Sequence, residues 1–143
     1  MTEAEGRAAV VKEALTWLGT PWAHRARVKH AGVDCGQLLV GVFEAAGLVS
    51  GIELPEYSEQ FMLHRDAEWL LGIVERFAVR VEREPKPADV ILYRYGRCLS
   101  HAAIVTAWPQ VLHAQRGIGV TLDEGVAHYD LARRQAGVWS LWP

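Results

Sequence analysis

The sequence predicts an α+β fold in which N-terminal helices pack on a mainly antiparallel sheet of five to six strands. Three observations carry this. Apolar residues recur at helical intervals in the first third of the chain, and short β-rich segments follow one another in its second half. The two textures do not alternate, which argues against repeated βαβ units. At 143 residues the chain is read as one domain, 1–143, large enough to bury a core without staples.

Thr2 followed by Glu5 has capping-box spacing, and Val10, Val11, Ala14, Leu15 and Leu18 extend an amphipathic helix over 3–18. Gly19 ends it and Pro21 prevents continuation. A basic loop, 22–30, leads into Asp34, an N-cap type, and a helix over 35–46 whose Leu38, Leu39, Val42 and Phe43 form a broad apolar face. Gly36 and Gly41 each cost about 1 kcal/mol in a helix interior, which points to close approach by a neighbour, and Gly47 suits the C-terminus. Residues 48–57 read as irregular. Ser58 is expected to cap a helix over 58–75 with Phe61, Met62, Trp69, Leu70, Ile73 and Val74 on its apolar face. Strands are expected at 77–82, 90–95, 101–106, 110–114, 119–122 and 138–142, with a turn at 85–89, a further turn at 96–98 and helical residues at 124–135.

Half the residues are hydrophobic, yet the longest apolar runs are far too short to cross a bilayer, so no membrane partner is expected. A formal charge of −2 and a pI near 6.3 leave no electrostatic footprint for nucleic acid. The N-terminus carries acids instead of a basic flank and does not read as a secretory signal, so synthesis in the cytoplasm is expected. Cys35 and Cys98 are taken as free thiols.

The chemistry centres on Cys35. A cysteine opening a helix sits in the field of unpaired N–H groups, which favours thiolate over thiol, and its bland alternative is a small buried hydrophobe. A cysteine hydrolase needs a histidine beside the thiol and a third group to orient it. His101 opens a strand, sharing a face with Ala103 and Val105, whose small bulk leaves room for the Cys35 helix to lie across them. If 101–106 and 110–114 form a hairpin about Trp108-Pro109-Gln110, position 101 faces 115 or 116, and His113 falls one same-face step away, within reach of His101. A zinc site from Cys35, His101 and His113 is chemically possible, but no close ligand pair anchors it, and no metal or cofactor is expected. Cys98 is read as non-catalytic, His24 and His30 as loop histidines able to meet a substrate carboxylate, and His64 and His128 as helix-surface residues. Trp22 is a candidate wall of the cleft. The backbone N–H of Cys35 is a natural oxyanion donor.

Trp17-Leu-Gly-Thr-Pro-Trp22, Val33-Asp-Cys-Gly-Gln-Leu38, Ala88-Asp-Val-Ile-Leu-Tyr93, Ser100-His-Ala-Ala-Ile-Val105 and Val111-Leu-His-Ala114 together resemble the NlpC-type bacterial cell-wall cysteine peptidases, a papain-like group. The resemblance covers nearly the whole chain. It implies Cys35 as nucleophile, His101 as base and His113, twelve residues on, as the residue that orients it. Trp22, His24, Asp34, Gly36, Gln37 and Ser100 become substrate-binding candidates. The implied reaction is hydrolysis of an amide bond in a peptidoglycan stem peptide, between γ-D-glutamyl and a diamino acid. The Thr-Pro-x-x-His24 entry and Pro55-Glu-Tyr57 are most similar to the subgroup found among phage tail and gene-transfer-agent genes, which implies phage-like tail partners and delivery to the wall by such a particle. Alternatives are a catalytically reduced structural or binding part of a tail assembly, and an acyltransferase or transamidase using the same trio. The sequence departs from the family pattern at Trp22, where a tyrosine is usual, at Gly36-Gln37 after the cysteine, and at Ala88, where glycine usually precedes Asp89.

Overall fold

A computed structural model describes residues 1–60 and 68–143. Helix α1 (Glu3–Leu15) starts in the capping box that the sequence signals, with Thr2 Oγ1 accepting from Glu5 N–H and Glu5 answering on the Thr2 N–H. Two short strands, β1 (Arg27–Val28) and β2 (Gly32–Val33), then form an antiparallel ribbon, the first of them inside the segment expected to be a plain loop. This ribbon feeds directly into α2 (Cys35–Ala45). Asp34 Oδ1 accepts from Gln37 N–H at 2.9 Å, a cap worth about 1 kcal/mol that fixes the start of α2 one residue before the sulfur. At the other end Gly47, at φ +81, sends its N–H to Glu44 while Leu48 bonds Phe43, a Schellman closure.

The helix expected over 58–75 is found in part. Of this span, the described residues hold one helix, α3 (Trp69–Val74), and Ser58 does not cap it: residues 58–60 are coil and turn, with Ser58 Oγ holding the Gln60 N–H. Phe61, Met62 and His64 lie outside the described residues.

Strands β3 (Val79–Val81), β4 (Val90–Tyr95), β5 (Cys98–Ala107), β6 (Gln110–Gln115), β7 (Gly119–Glu124) and β8 (Gln135–Ser140) form one antiparallel sheet in the order β3-β8-β4-β5-β6-β7. Helix α4 (Tyr129–Arg134) stands between β7 and β8, half the length expected. Cys98 belongs to β5, paired with Tyr95, so the turn is only Gly96-Arg97. Ala88, before β4, takes φ +74, a left-handed conformation that explains why glycine suits this place. The buried Asp89 beside it accepts from Arg7 of α1 at 2.9 Å and from Arg83 at 2.7 Å, which ties α1 to the start of β4.

The face on which α2 packs corrects the expected arrangement. Leu38, Leu39, Val42 and Phe43 pack with Leu92, Leu99, Ala102, Ile104, Leu112 and Ala114, each large side chain contributing about 1.5–3 kcal/mol by burial. Ala103 and Val105 lie in a second cluster, with Ile91, Tyr93, Val111 and Leu131 of α4. The helix therefore does not lie across the face of Ala103 and Val105. Both faces of the strand are apolar, so alternation could not say which one the helix takes.

Candidate active site

Cys35, at the first turn of α2, and His101 and His113, on β5 and β6, line one cleft of about 250 Å³. They reach it from different sides. The pairing of β4 and β5 shifts after Tyr93↔His101 so that Arg94 faces Leu99, leaving Ser100 as the extra residue of a bulge. The Ser100 carbonyl accepts the Cys35 thiol at 3.6 Å, and the Ser100 hydroxyl is held by Tyr95 O at 3.1 Å. His101 meanwhile lies against the rings of Tyr93 and Tyr95, 5.7 and 5.6 Å between centroids. The bulge is where the helix-side sulfur and the opposite-side imidazole come to share a wall.

The hairpin register is the expected one: Ile104↔Leu112 and Val105↔Val111, continued, bring position 101 level with 115. His101 Nε2 and His113 Nδ1 are 2.8 Å apart, with their rings at 73°. Beyond them stands a residue the sequence reading missed. His113 Nε2 is 2.6 Å from Asp123 Oδ2, which also accepts from Gln115 Nε2 at 2.8 Å and from the Thr121 hydroxyl at 3.3 Å. The signal was present, because a β6–β7 hairpin puts Thr121 opposite His113 and Asp123 two residues further along the same face.

The charge state of the thiol overturns the expectation from the helix start. Burial, and next the Asp34 carboxylate, push Cys35 up to about 12, although N–H groups of Ala102, Gly36 and Cys35 itself pull the other way. Low-dielectric surroundings outweigh the helix field. His101 is pushed down to about 3 by burial and by the neighbouring His113, and His113 is lowered by burial against the opposing pull of Asp123. Thiol and imidazoles are neutral at rest.

Of the substrate-binding candidates, Trp22, His24, Asp34, Gly36 and Ser100 line the cleft, and Gln37 does not. The Gln37 amide is engaged behind it, accepting from Arg27 Nε at 2.8 Å and donating to Tyr57 Oη at 3.4 Å. His30 lies off the cleft wall too, its N–H held by Thr20. His128, expected on a helix surface, instead caps α4 and lines the cleft. Cys98 is fully buried in β5, away from that wall. Trp22 offers no hydroxyl, and the phenol near the thiol comes from Tyr57, a second residue the sequence reading missed: its Oη donates to Asp34 Oδ2 at 2.5 Å and its ring stacks on Trp69 at 4.3 Å. Gly36 is glycine because a Cβ there would stand 2.8 Å from Trp69 Cη2. The close approach inferred for Gly36 and Gly41 is real, but side chains make it: Trp69 at the first, Arg27 and Trp17 at the second. Among the described residues no three His, Cys, Asp or Glu side chains form a metal-binding group.

The model of the NlpC/P60 family matches residues 19–136. Gamma-DL-glutamyl hydrolase of Bacillus subtilis (strain 168) is 31% identical over 116 residues, 80% of this chain and 24% of that protein, so this chain spans about a quarter of its relative's length. The NlpC/p60 domain of the peptidoglycan hydrolase SagA has the same fold, with a TM-score of 0.66 and 20% identity over 94% of this chain and 97% of that one. So has the peptidoglycan hydrolase RipB from Mycobacterium tuberculosis, with a TM-score of 0.63 and 18% identity over 98% of this chain and 67% of that one.

Proposed function

This chain belongs to the NlpC/P60 family, and from that premise we propose that it is a cysteine peptidase that cleaves an amide bond in peptidoglycan stem peptides, the bond between γ-D-glutamyl and a diamino acid. The observation that carries the reading is one cleft lined by a helix-start cysteine and by a histidine pair at 2.8 Å. The relatives, a γ-glutamyl hydrolase and two peptidoglycan hydrolases, support the choice of substrate.

Cys35 is the nucleophile, His101 the base and His113 the residue that orients it. In the resting site the thiol donates to Ser100 O. Substrate binding turns the S–H toward His101, which takes the proton as sulfur bonds to the amide carbon. The backbone N–H of Cys35, at the helix start beside the sulfur, receives the developing oxyanion. His101 then gives its proton to the leaving amine as the C–N bond breaks. Water, deprotonated by His101, attacks the thioester and returns the thiol. Trp22, His24, Asp34, Gly36 and Ser100 frame the substrate.

Incubating the protein with a γ-D-glutamyl-diamino acid peptide, quenching in acid and weighing the intact chain tests this. An acyl mass on Cys35 is the expected result, and free peptide products with no dependence on Cys35 would contradict it. The raised thiol pKa favours a second reading, a catalytically silent part of a tail assembly. That reading predicts no acyl mass and no product. A transamidase with the same trio predicts that hydroxylamine captures the acyl group ahead of water. Delivery by a phage-like tail, and tail proteins as partners, are supported by the sequence motifs at 20–24 and 55–57 alone; co-purification with tail proteins is the check.

A further inference from the structure

Asp123 lies outside the trio and touches neither the cleft's sulfur nor His101, yet it closes a continuous line of ring nitrogens. Its Oδ2 stands 2.6 Å from His113 Nε2, and His113 Nδ1 stands 2.8 Å from His101 Nε2. A carboxylate only accepts hydrogen bonds, so the proton between Asp123 and His113 belongs to His113 Nε2. His113 is neutral, since burial holds its pKa down, and a neutral imidazole carries one N–H. Its Nδ1 must then accept. The proton between the two rings therefore sits on His101 Nε2, which leaves His101 Nδ1 as that ring's lone-pair nitrogen.

We propose that Asp123 is the positioning residue that sets the tautomer of both histidines, so that His101 presents a basic Nδ1, and that stabilises the imidazolium formed when His101 takes the thiol proton. The inference rests on the reading of Cys35 as nucleophile and His101 as base. The step balances simply: the S–H bond breaks and leaves its electron pair on sulfur, which bonds the amide carbon, an N–H bond forms at His101 Nδ1, and the positive charge appears on His101. Facing that charge are the neutral His113, the Tyr93 and Tyr95 rings and, across one ring, the Asp123 carboxylate. His128, the N-cap of α4, is the remaining titratable group felt by His113. Asp123 is itself oriented: Gln115 Nε2 and the Thr121 hydroxyl both donate to the oxygen that His113 uses.

The test separates charge from orientation. In D123N the asparagine oxygen still meets Gln115, Thr121 and His113, so both tautomers persist while the charge is gone; kcat on a γ-D-glutamyl-diamino acid peptide should fall about 10–100-fold with KM little changed. In Asp123→Ala the acceptor is lost too, and ring-nitrogen NMR should show His113 as a mixture of tautomers. Asp123→Glu should recover part of kcat. The wild-type spectrum stands independently of any variant's folding: protons on Nε2 of both rings and bare Nδ1 atoms are expected at pH 7. A proton on His113 Nδ1 would overturn the proposal, as would a folded D123N with wild-type kcat. If the wild type hydrolyses no stem peptide, the proposed function fails by itself, and the spectrum still decides the wiring.

Discussion

Tyr57 Oη donates to Asp34 Oδ2 at 2.5 Å, so the residue immediately before the nucleophilic candidate serves three donors at once. Asp34 also caps α2 through Gln37 N–H and holds the Arg25 N–H at 2.8 Å. Its charge, meanwhile, is the second cause of the raised Cys35 pKa. Asp34→Asn keeps a good cap type but removes the charge. The expected outcome is a Cys35 more readily alkylated at a given pH, with a stability loss of about 1 kcal/mol, because the amide nitrogen that replaces Oδ2 cannot accept from the Arg25 N–H. Asp34→Ala loses the cap and strands two donors, and should lower stability by about 1–3 kcal/mol in denaturant titration.

Alkylation also reads the resting charge state. A thiol pushed up to about 12 and an imidazole pushed down to about 3 do not form a thiolate–imidazolium pair. The rate of Cys35 labelling by iodoacetamide in the free protein should therefore climb steadily from pH 7 to 10. A plateau established below pH 6 would show a preformed ion pair instead. Cys98, buried in β5 with its own thiol raised, should label only on unfolding.

Gly36→Ala puts a methyl 2.8 Å from the Trp69 indole, which itself stacks on Tyr57. The indole must move, and Tyr57 with it. Overpacking of this kind costs about 1–3 kcal/mol, and here it displaces a cleft wall. KM for a stem peptide should rise more than kcat falls, which steady-state kinetics will show.

The two histidines of the pair make stability depend on acid in a definite direction. Both pKa values are depressed on folding, His101 to about 3 from an ordinary value of 6.5. Between those values the unfolded chain binds protons that the folded chain refuses, so stability falls as pH drops from about 6.5 toward 3. The slope contributed by His101 approaches about 1.4 kcal/mol per pH unit, and His113 adds in the same direction. Denaturant titrations at pH 7, 5.5 and 4.5 should show the loss, and His101→Gln should flatten it.

What the sequence makes legible is local. The Asp34 cap, the Gly47 closure and the β5–β6 hairpin follow from residues within a few positions of one another, and they already place Cys35 at a helix start and His113 near His101. The long-range choices are different. Which apolar face of β5 takes α2 is undetermined when Ala103 and Ala102 are equally small, and the Ser100 bulge has no turn residue to announce it. Tyr57 reaches Asp34 from a loop with no periodicity. The helix position that lowers the Cys35 pKa is written in the sequence, and the burial that raises it is not.

The most direct measurement is digestion of purified peptidoglycan by the wild type and by Cys35→Ala, with the released fragments identified by mass spectrometry. The predicted result is fragments ending in γ-D-glutamate from the wild type and none from a variant with the wild-type melting profile. Equal release by both proteins would contradict Cys35 as the nucleophile.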